Sequence, residues 1–130
     1  MYLDANFFIF ANFDNGQKGN GARKIHAQIV AGKPAVTSVL TIDELMWVMI
    51  KNGKKELIRQ VIEEIYSIPA LMVKEVPALT ALTAIDFMEK YGLKPRDAFH
   101  AAIMKSLGLT EIVTDDSDFD RIEWIKRIRF

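Results

Sequence analysis

Glu111-Ile112-Val113-Thr114-Asp115-Asp116-Ser117-Asp118-Phe119 begins as an apolar strand run and breaks at once into acids. Met1-Tyr2-Leu3-Asp4-Ala5-Asn6, at the other end of the chain, repeats the arrangement on a smaller scale. Short continuous apolar runs of this kind read as strands buried on both faces, as in a parallel sheet. In such open sheets, ligands bind outside the carboxyl ends of the strands. The two runs therefore place Asp4 and the Asp115–Asp118 group on the same edge of one sheet.

Between these runs, helical and strand patterns alternate. Residues 6–13 read as a first helix with Asn6 as its N-cap, and residues 14–21 as a loop by composition, the most mobile stretch. Residues 22–31 put Ile25, Ile29 and Val30 on one helical face, which Gly32 ends. A strand at 35–37 follows Pro34. Residues 38–51 form a helix with Leu45, Val48 and Met49 inward, and residues 54–67 another with Leu57, Ile58, Val61, Ile62 and Ile65 inward. A strand at 71–76 leads to a helix from Pro77 to about Lys90, broken by Gly92. Pro95 opens the next helix at a position where a missing N–H costs nothing. A strand at 111–114, the acidic loop and a last strand at 126–129 complete the chain. The alternation implies an α/β fold with helices on both faces of a parallel sheet. With no internal repeat or low-complexity tract, residues 1–130 read as one domain.

A chain of 130 residues buries roughly two-thirds of its unfolded surface, so it needs no disulfide or structural metal to fold. The composition, 50% hydrophobic and 26% charged, is globular, and with no cysteine it excludes disulfide scaffolds and thiolate chemistry. Seventeen basic residues balance seventeen acidic ones, so net charge does not point to nucleic acid. The charges are unevenly placed: Lys51, Lys54 and Lys55 cluster mid-chain, and Lys126, Arg127 and Arg129 near its end. A basic rim around an acidic pocket would suit a phosphodiesterase, the alternative being solvated surface charge. No stretch approaches the roughly 20 apolar residues of a membrane span, and the first residues lack a basic lead. A soluble, cytoplasmic protein is expected.

Each acid has a structural reading beside a chemical one. Asp4 either holds a metal at a strand end or caps the following helix. Thr41-Ile42-Asp43-Glu44 matches a capping box, yet Ser38 is an equally good cap that would leave Glu44 free on the second turn. Asp97, at the third position of the Pro95 helix, suits the helix dipole as well as a ligand role. Ala98, Ala101 and Ala102 let that helix approach the sheet closely. Asp115, Asp116 and Asp118 repel one another unless a cation sits among them, and a hard divalent ion suits oxygen donors. His26 and His100 read as satisfied structural histidines; His100, three residues after Asp97, points along a similar face. Phosphate-cradling glycine loops and the nucleophile-elbow pattern are absent.

The ordered set Leu3-Asp4-Ala5-Asn6, Ser38 through Glu44-Leu45, Pro95-Arg96-Asp97-Ala98-Phe99-His100-Ala101-Ala102 and Val113-Thr114-Asp115-Asp116-Ser117-Asp118-Phe119 resembles the PIN-domain family, particularly small prokaryotic toxins of the VapC type. The resemblance spans the chain. It implies a three-layer α/β/α sandwich with a short parallel sheet of four or five strands. It also implies endonucleolytic cleavage of single-stranded RNA with Mg²⁺ or Mn²⁺, carried by Asp4, Glu44, Asp97 and Asp116. Asp118 would be a secondary ligand, with Asn6 and Thr114 in support. A homodimer and an inhibiting antitoxin protein are the partners it implies. The rival is a catalytically silent module of the same fold, against which the four retained acids argue. A dehalogenase-like phosphotransferase would want a second Asp where Asn6 stands, and a receiver domain an acid pair beside the first strand.

Overall fold

The computed structural model describes all 130 residues. Five strands, β1 (Tyr2–Leu3), β2 (Ala35–Ser38), β3 (Leu71–Lys74), β4 (Glu111–Val113) and β5 (Lys126–Ile128), form one sheet in the order β3-β2-β1-β4-β5. Every pairing is parallel. Six helices fill the connections: α1 (Ala5–Phe13), α2 (Gln17–Val30), α3 (Val39–Lys51), α4 (Ile58–Ser67), α5 (Thr80–Tyr91) and α6 (Pro95–Ser106).

Alternation along the strands divides the core in two. Leu3, Ala35 and Val113 face a cluster containing Phe7, Phe8, Ile29, Leu45, Met49 and Ile65, from α1 to α4. Tyr2 and Ile112 face the opposite cluster, with Ala84, Ala98, Ala101 and Met104 of α5 and α6. The result is a three-layer α/β/α sandwich. Successive connections run outward from β1 to β3, then the chain returns to the other side of β1 for β4 and β5. That reversal opens a crevice at the carboxyl ends of β1 and β4, where Asp4 and Thr114 begin.

The elements differ from sequence expectation at several points. Residues 14–21 are not a loop throughout, because α2 starts at Gln17. Asp14 Oδ2 accepts from the N–H groups of Gly16 and Gly19, which supplies the helix start that composition hides. The glycines serve contact: a Cβ on Gly19 would stand 2.0 Å from the Asp14 carbonyl oxygen, and one on Gly21 2.6 Å from the Phe130 backbone. The N-cap of α1 is Asp4 rather than Asn6, with Asp4 Oδ1 accepting from the Ala5 N–H. Strand β3 stops at Lys74, since its last partner is Ser38 and β2 there turns into α3. Helix α5 starts at Thr80 because residues 77–80 first close a turn, with the Thr80 N–H bonded to the Pro77 carbonyl. Val30, expected inward, is exposed, since only Ile29 of that end of α2 reaches the core.

Gly19→Ala tests the close approach at the start of α2. Propensity alone would make it stabilising by about 1 kcal/mol. Because the added carbon meets main chain, we expect a net loss of about 1–3 kcal/mol in urea denaturation.

Candidate active site

The carboxyl edge of the sheet brings five carboxylates together. Asp4, 8% exposed, follows β1, and its Oδ2 accepts from the Thr114 hydroxyl at 2.7 Å while Oδ1 takes the Ala5 N–H at 2.6 Å. Thr114, fully buried after β4, receives in turn the Asn6 side-chain amide at 2.8 Å and the Asp116 N–H at 3.1 Å. The Asn6 carbonyl accepts from the Asp115 N–H. Asn6 and Thr114 thus tie the start of α1 to the acidic turn.

Glu44 is 9% exposed on the second turn of α3. Ser38 stands at the N-cap of α3, so Glu44 has no capping duty at Thr41. Its Oε2 instead meets His100 Nε2 at 2.6 Å, and its Oε1 faces the Arg96 guanidinium at 3.6 Å. Asp97 lies in the first turn of α6, whose first residue is Pro95. The carboxylates of Asp97, Asp116 and Asp118 have oxygens within 4.8 Å of one another, as do the ligand atoms of Asp4, Glu44 and His100. Asp116 also caps the 3-10 turn Ser117–Arg121 by accepting the Asp118 N–H.

Electrostatics join the two groups. Burial, then the charges of Asp116 and Asp4, push the Asp97 carboxyl up to about 6. Burial chiefly, with the charge of Glu44, also raises Asp4, although His100 and the Thr114 hydroxyl act the other way. The donor set fits a hard divalent cation: oxygens from four or five carboxylates, no thiolate, and mutual repulsion that such an ion would relieve.

Not every acid of the turn belongs to this set. Asp115 turns out to Lys18, and Asp120 pairs with Arg127 and Arg129. The basic rim is assembled only in part: Arg127 reaches the Asp115 carbonyl at 3.3 Å, but two of the expected lysines stand away. Lys51 closes α3, roughly 10 Å along the helix axis from Glu44, and lies over Trp47. Lys126 opens β5 at the far edge of the sheet and pairs with Glu111. What sequence reasoning passed over is the place of His100. It is satisfied and buried, as expected of a structural histidine, but its partner is a carboxylate of the cluster. The three-residue spacing from Asp97 was the available signal.

A family model described as the PIN domain matches residues 1–125, and the chain belongs to the PIN-domain family. Its fold is similar to that of VapC20 from Mycobacterium tuberculosis, a toxin that cleaves the sarcin–ricin loop, with TM-score 0.83 and 15% identity over 98% of each chain. VapBC2 of Rickettsia felis, solved on a DNA fragment from its promoter, matches with TM-score 0.73 and 17% identity over 98% of this chain and 96% of that one. DNA-bound VapBC of Salmonella typhimurium gives TM-score 0.70 and 22% identity over 98% and 95%. No curated protein matches the sequence. At these identities the structural likeness is one of fold.

The raised Asp97 pKa has a consequence for stability. In the native chain this carboxyl keeps its proton up to about pH 6, whereas unfolded it titrates near 3.8. The native state therefore binds more protons between these values, and stability from this group falls as pH rises through that window. Without divalent cation, Asp97→Asn should gain thermal stability over wild type progressively from about pH 4 to about pH 6, then hold the advantage. Added Mn²⁺ should raise the melting temperature of wild type more than that of the variant.

Proposed function

We propose that this protein is a metal-dependent endoribonuclease that cleaves single-stranded RNA using Mg²⁺ or Mn²⁺, and that it is the toxin half of a toxin–antitoxin pair. The observation that carries this reading is the convergence of Asp4, Glu44, Asp97 and Asp116, with Asp118 beside them, at the crevice between β1 and β4. Membership of the PIN family and the likeness to solved toxin folds support the substrate class.

Asp4, Glu44, Asp97 and Asp116 would hold the cation, with Asp118 as a further ligand. A divalent ion there supplies Lewis-acid polarisation of the phosphodiester and lowers the pKa of a water. The chain's own contribution is placement. Thr114 and Asn6 fix Asp4 and the acidic turn by hydrogen bonds, so these carboxylates meet substrate in one arrangement. Arg96, half exposed at the first turn of α6 and facing Glu44, is the cation placed to meet a phosphate at the mouth of the pocket. We assign the chain a single PIN-like domain over residues 1–130 and, given an RNA substrate, a cytoplasmic place of action. The partners are an antitoxin protein, as in the complexes in which similar folds were solved, and a second copy of the chain. For the second copy, Leu79 at the N-cap of α5 and Leu82 and Ile85 within it recur every three residues as exposed apolar side chains, the kind of feature that marks interaction surfaces when contiguous.

Two measurements test these assignments. RNA cleavage should require Mn²⁺ or Mg²⁺, and Asp4→Asn and Asp97→Asn should each lose more than the ~10–100-fold that removal of an outer-shell partner costs. Cleavage that survives chelation, or both substitutions, would sink the metal mechanism, and a chain that cleaves no RNA would leave the silent-module reading. Leu82→Glu should convert a dimer to monomer by light scattering; a wild-type chain already monomeric removes the homodimer.

A further inference from the structure

A line of buried polar side chains runs from the interior to Glu44. Ser38 Oγ lies 2.7 Å from Tyr2 Oη, which lies 2.8 Å from His100 Nδ1, and His100 Nε2 lies 2.6 Å from Glu44 Oε2. Tyr2 and His100 are essentially inaccessible, with 0% and 1% exposure. The members come from β1, the N-cap and second turn of α3, and α6, so the line joins three separate elements.

Hydrogen-bond chemistry gives the line a direction. An ionised Glu44 only accepts, so His100 Nε2 carries the hydrogen and donates to it. On the other side of the ring the Tyr2 hydroxyl bonds Nδ1 and is itself bonded to Ser38 Oγ, which fixes the ring plane. The ring is thereby a donor at the nitrogen that faces the pocket and has no lone pair there for a cation. Asp4 Oδ1, 3.8 Å from the same nitrogen, is held in the field of this donor. A histidine kept only for packing would not need a second buried residue to set its ring toward a carboxylate.

We propose that His100, anchored by Tyr2, is a positioning residue that orients the Glu44 carboxylate for cation binding without itself being a ligand. Glu44 has a flexible side chain on the second turn of α3; one oxygen is claimed by His100, while Oε1, 3.6 Å from the half-exposed Arg96 guanidinium, is the oxygen open to a cation. Loss of that donor frees the carboxylate to swing, and the cation then binds a less organised set. This inference rests on the metal-dependent reading of the site but concerns binding rather than cleavage.

The test measures Mn²⁺ binding to the purified protein by the free-ion electron paramagnetic resonance signal, and RNA cleavage as a function of Mn²⁺, in wild type, His100→Leu, His100→Gln and Tyr2→Phe. His100→Leu should weaken Mn²⁺ affinity by about 10–100-fold, the range for lost outer-shell partners. Its kcat should recover toward wild type at saturating Mn²⁺. His100→Gln, whose amide N–H replaces the donor, should restore affinity, and Tyr2→Phe should show a smaller loss in the same direction. Unchanged affinity in His100→Leu overturns the proposal, and so does unchanged affinity in Tyr2→Phe if the leucine variant does not fold. A glutamine variant as weak as the leucine one also overturns it, because the imidazole would then be a ligand. Wild type that binds Mn²⁺ but cleaves no RNA removes the ribonuclease reading and leaves the positioning role, whereas wild type that binds no Mn²⁺ overturns both.

Discussion

Carboxylates crowded at the edge of a sheet repel one another, and the structure around the crevice is organised by how that repulsion is shared out. The acids at its margin are neutralised by cations of the chain itself: Asp115 by Lys18, Asp120 by Arg127 and Arg129, and Asp118 in part by Arg121. Those inside receive mostly hydrogen bonds from neutral donors, namely Thr114, the Ala5 N–H and the Asp118 N–H. Neutral donors fix where a carboxylate points without cancelling its charge. The interior therefore keeps a deficit of positive charge, which adds to the larger effect of burial in raising the Asp97 pKa. His100, also raised because Tyr2, Glu44 and Asp4 together outweigh the opposing effect of burial, supplies a cation at the base of the pocket. It cannot supply one at the mouth.

The backbone holds these side chains through the sheet itself. Strand β1 has two residues, too few to be rigid alone, but it lies between β2 and β4 and pairs with both. The last hydrogen bonds of the ladder are made by residues of the crevice: the Asp4 N–H reaches the Val113 carbonyl, and the Thr114 N–H the Ile128 carbonyl. Thr37 adds a bond from its hydroxyl to the Leu3 carbonyl. The main chain of Asp4 and Thr114 is thus placed as accurately as the strands, and the side-chain bond between them joins two fixed points.

Much of this was legible in the sequence because it depends on order and period. Apolar runs ending in acids located β1, β4 and the crevice, and Pro95 with the alanines of 98–102 located α6 and its close approach. The losses fall where a residue's role is set by something far along the chain. Gly19 and Gly21 look like loop residues until Asp14 and Phe130 are seen against them. Asn6 looks like a cap until Thr114, 108 positions away, takes its amide. Thr41 and Glu44 fit a capping box by spacing, and the readings separate only once Ser38 is seen to stand at the N-cap of α3 and Glu44 to be buried against α6. His100 is the same case with a larger consequence, since both of its partners are distant in sequence.

The alanines of α6 and the histidine among them belong to one constraint. Ala98, Ala101 and Ala102 bring the helix close to the sheet, and none exceeds 3% exposure. At that distance the side chain at position 100 lies within hydrogen-bond reach of both β1 and α3, which a helix held off by larger residues would not allow. An imidazole offers two ring nitrogens on opposite sides, so it can join a tyrosine behind it to a carboxylate in front, whereas an aliphatic residue would leave the Tyr2 hydroxyl one partner short and Glu44 without its donor. The small residues thus fix more than packing: they bring a polar group from the core into contact with an acid of the crevice, coupling the fit of α6 on the sheet to the arrangement of the carboxylates.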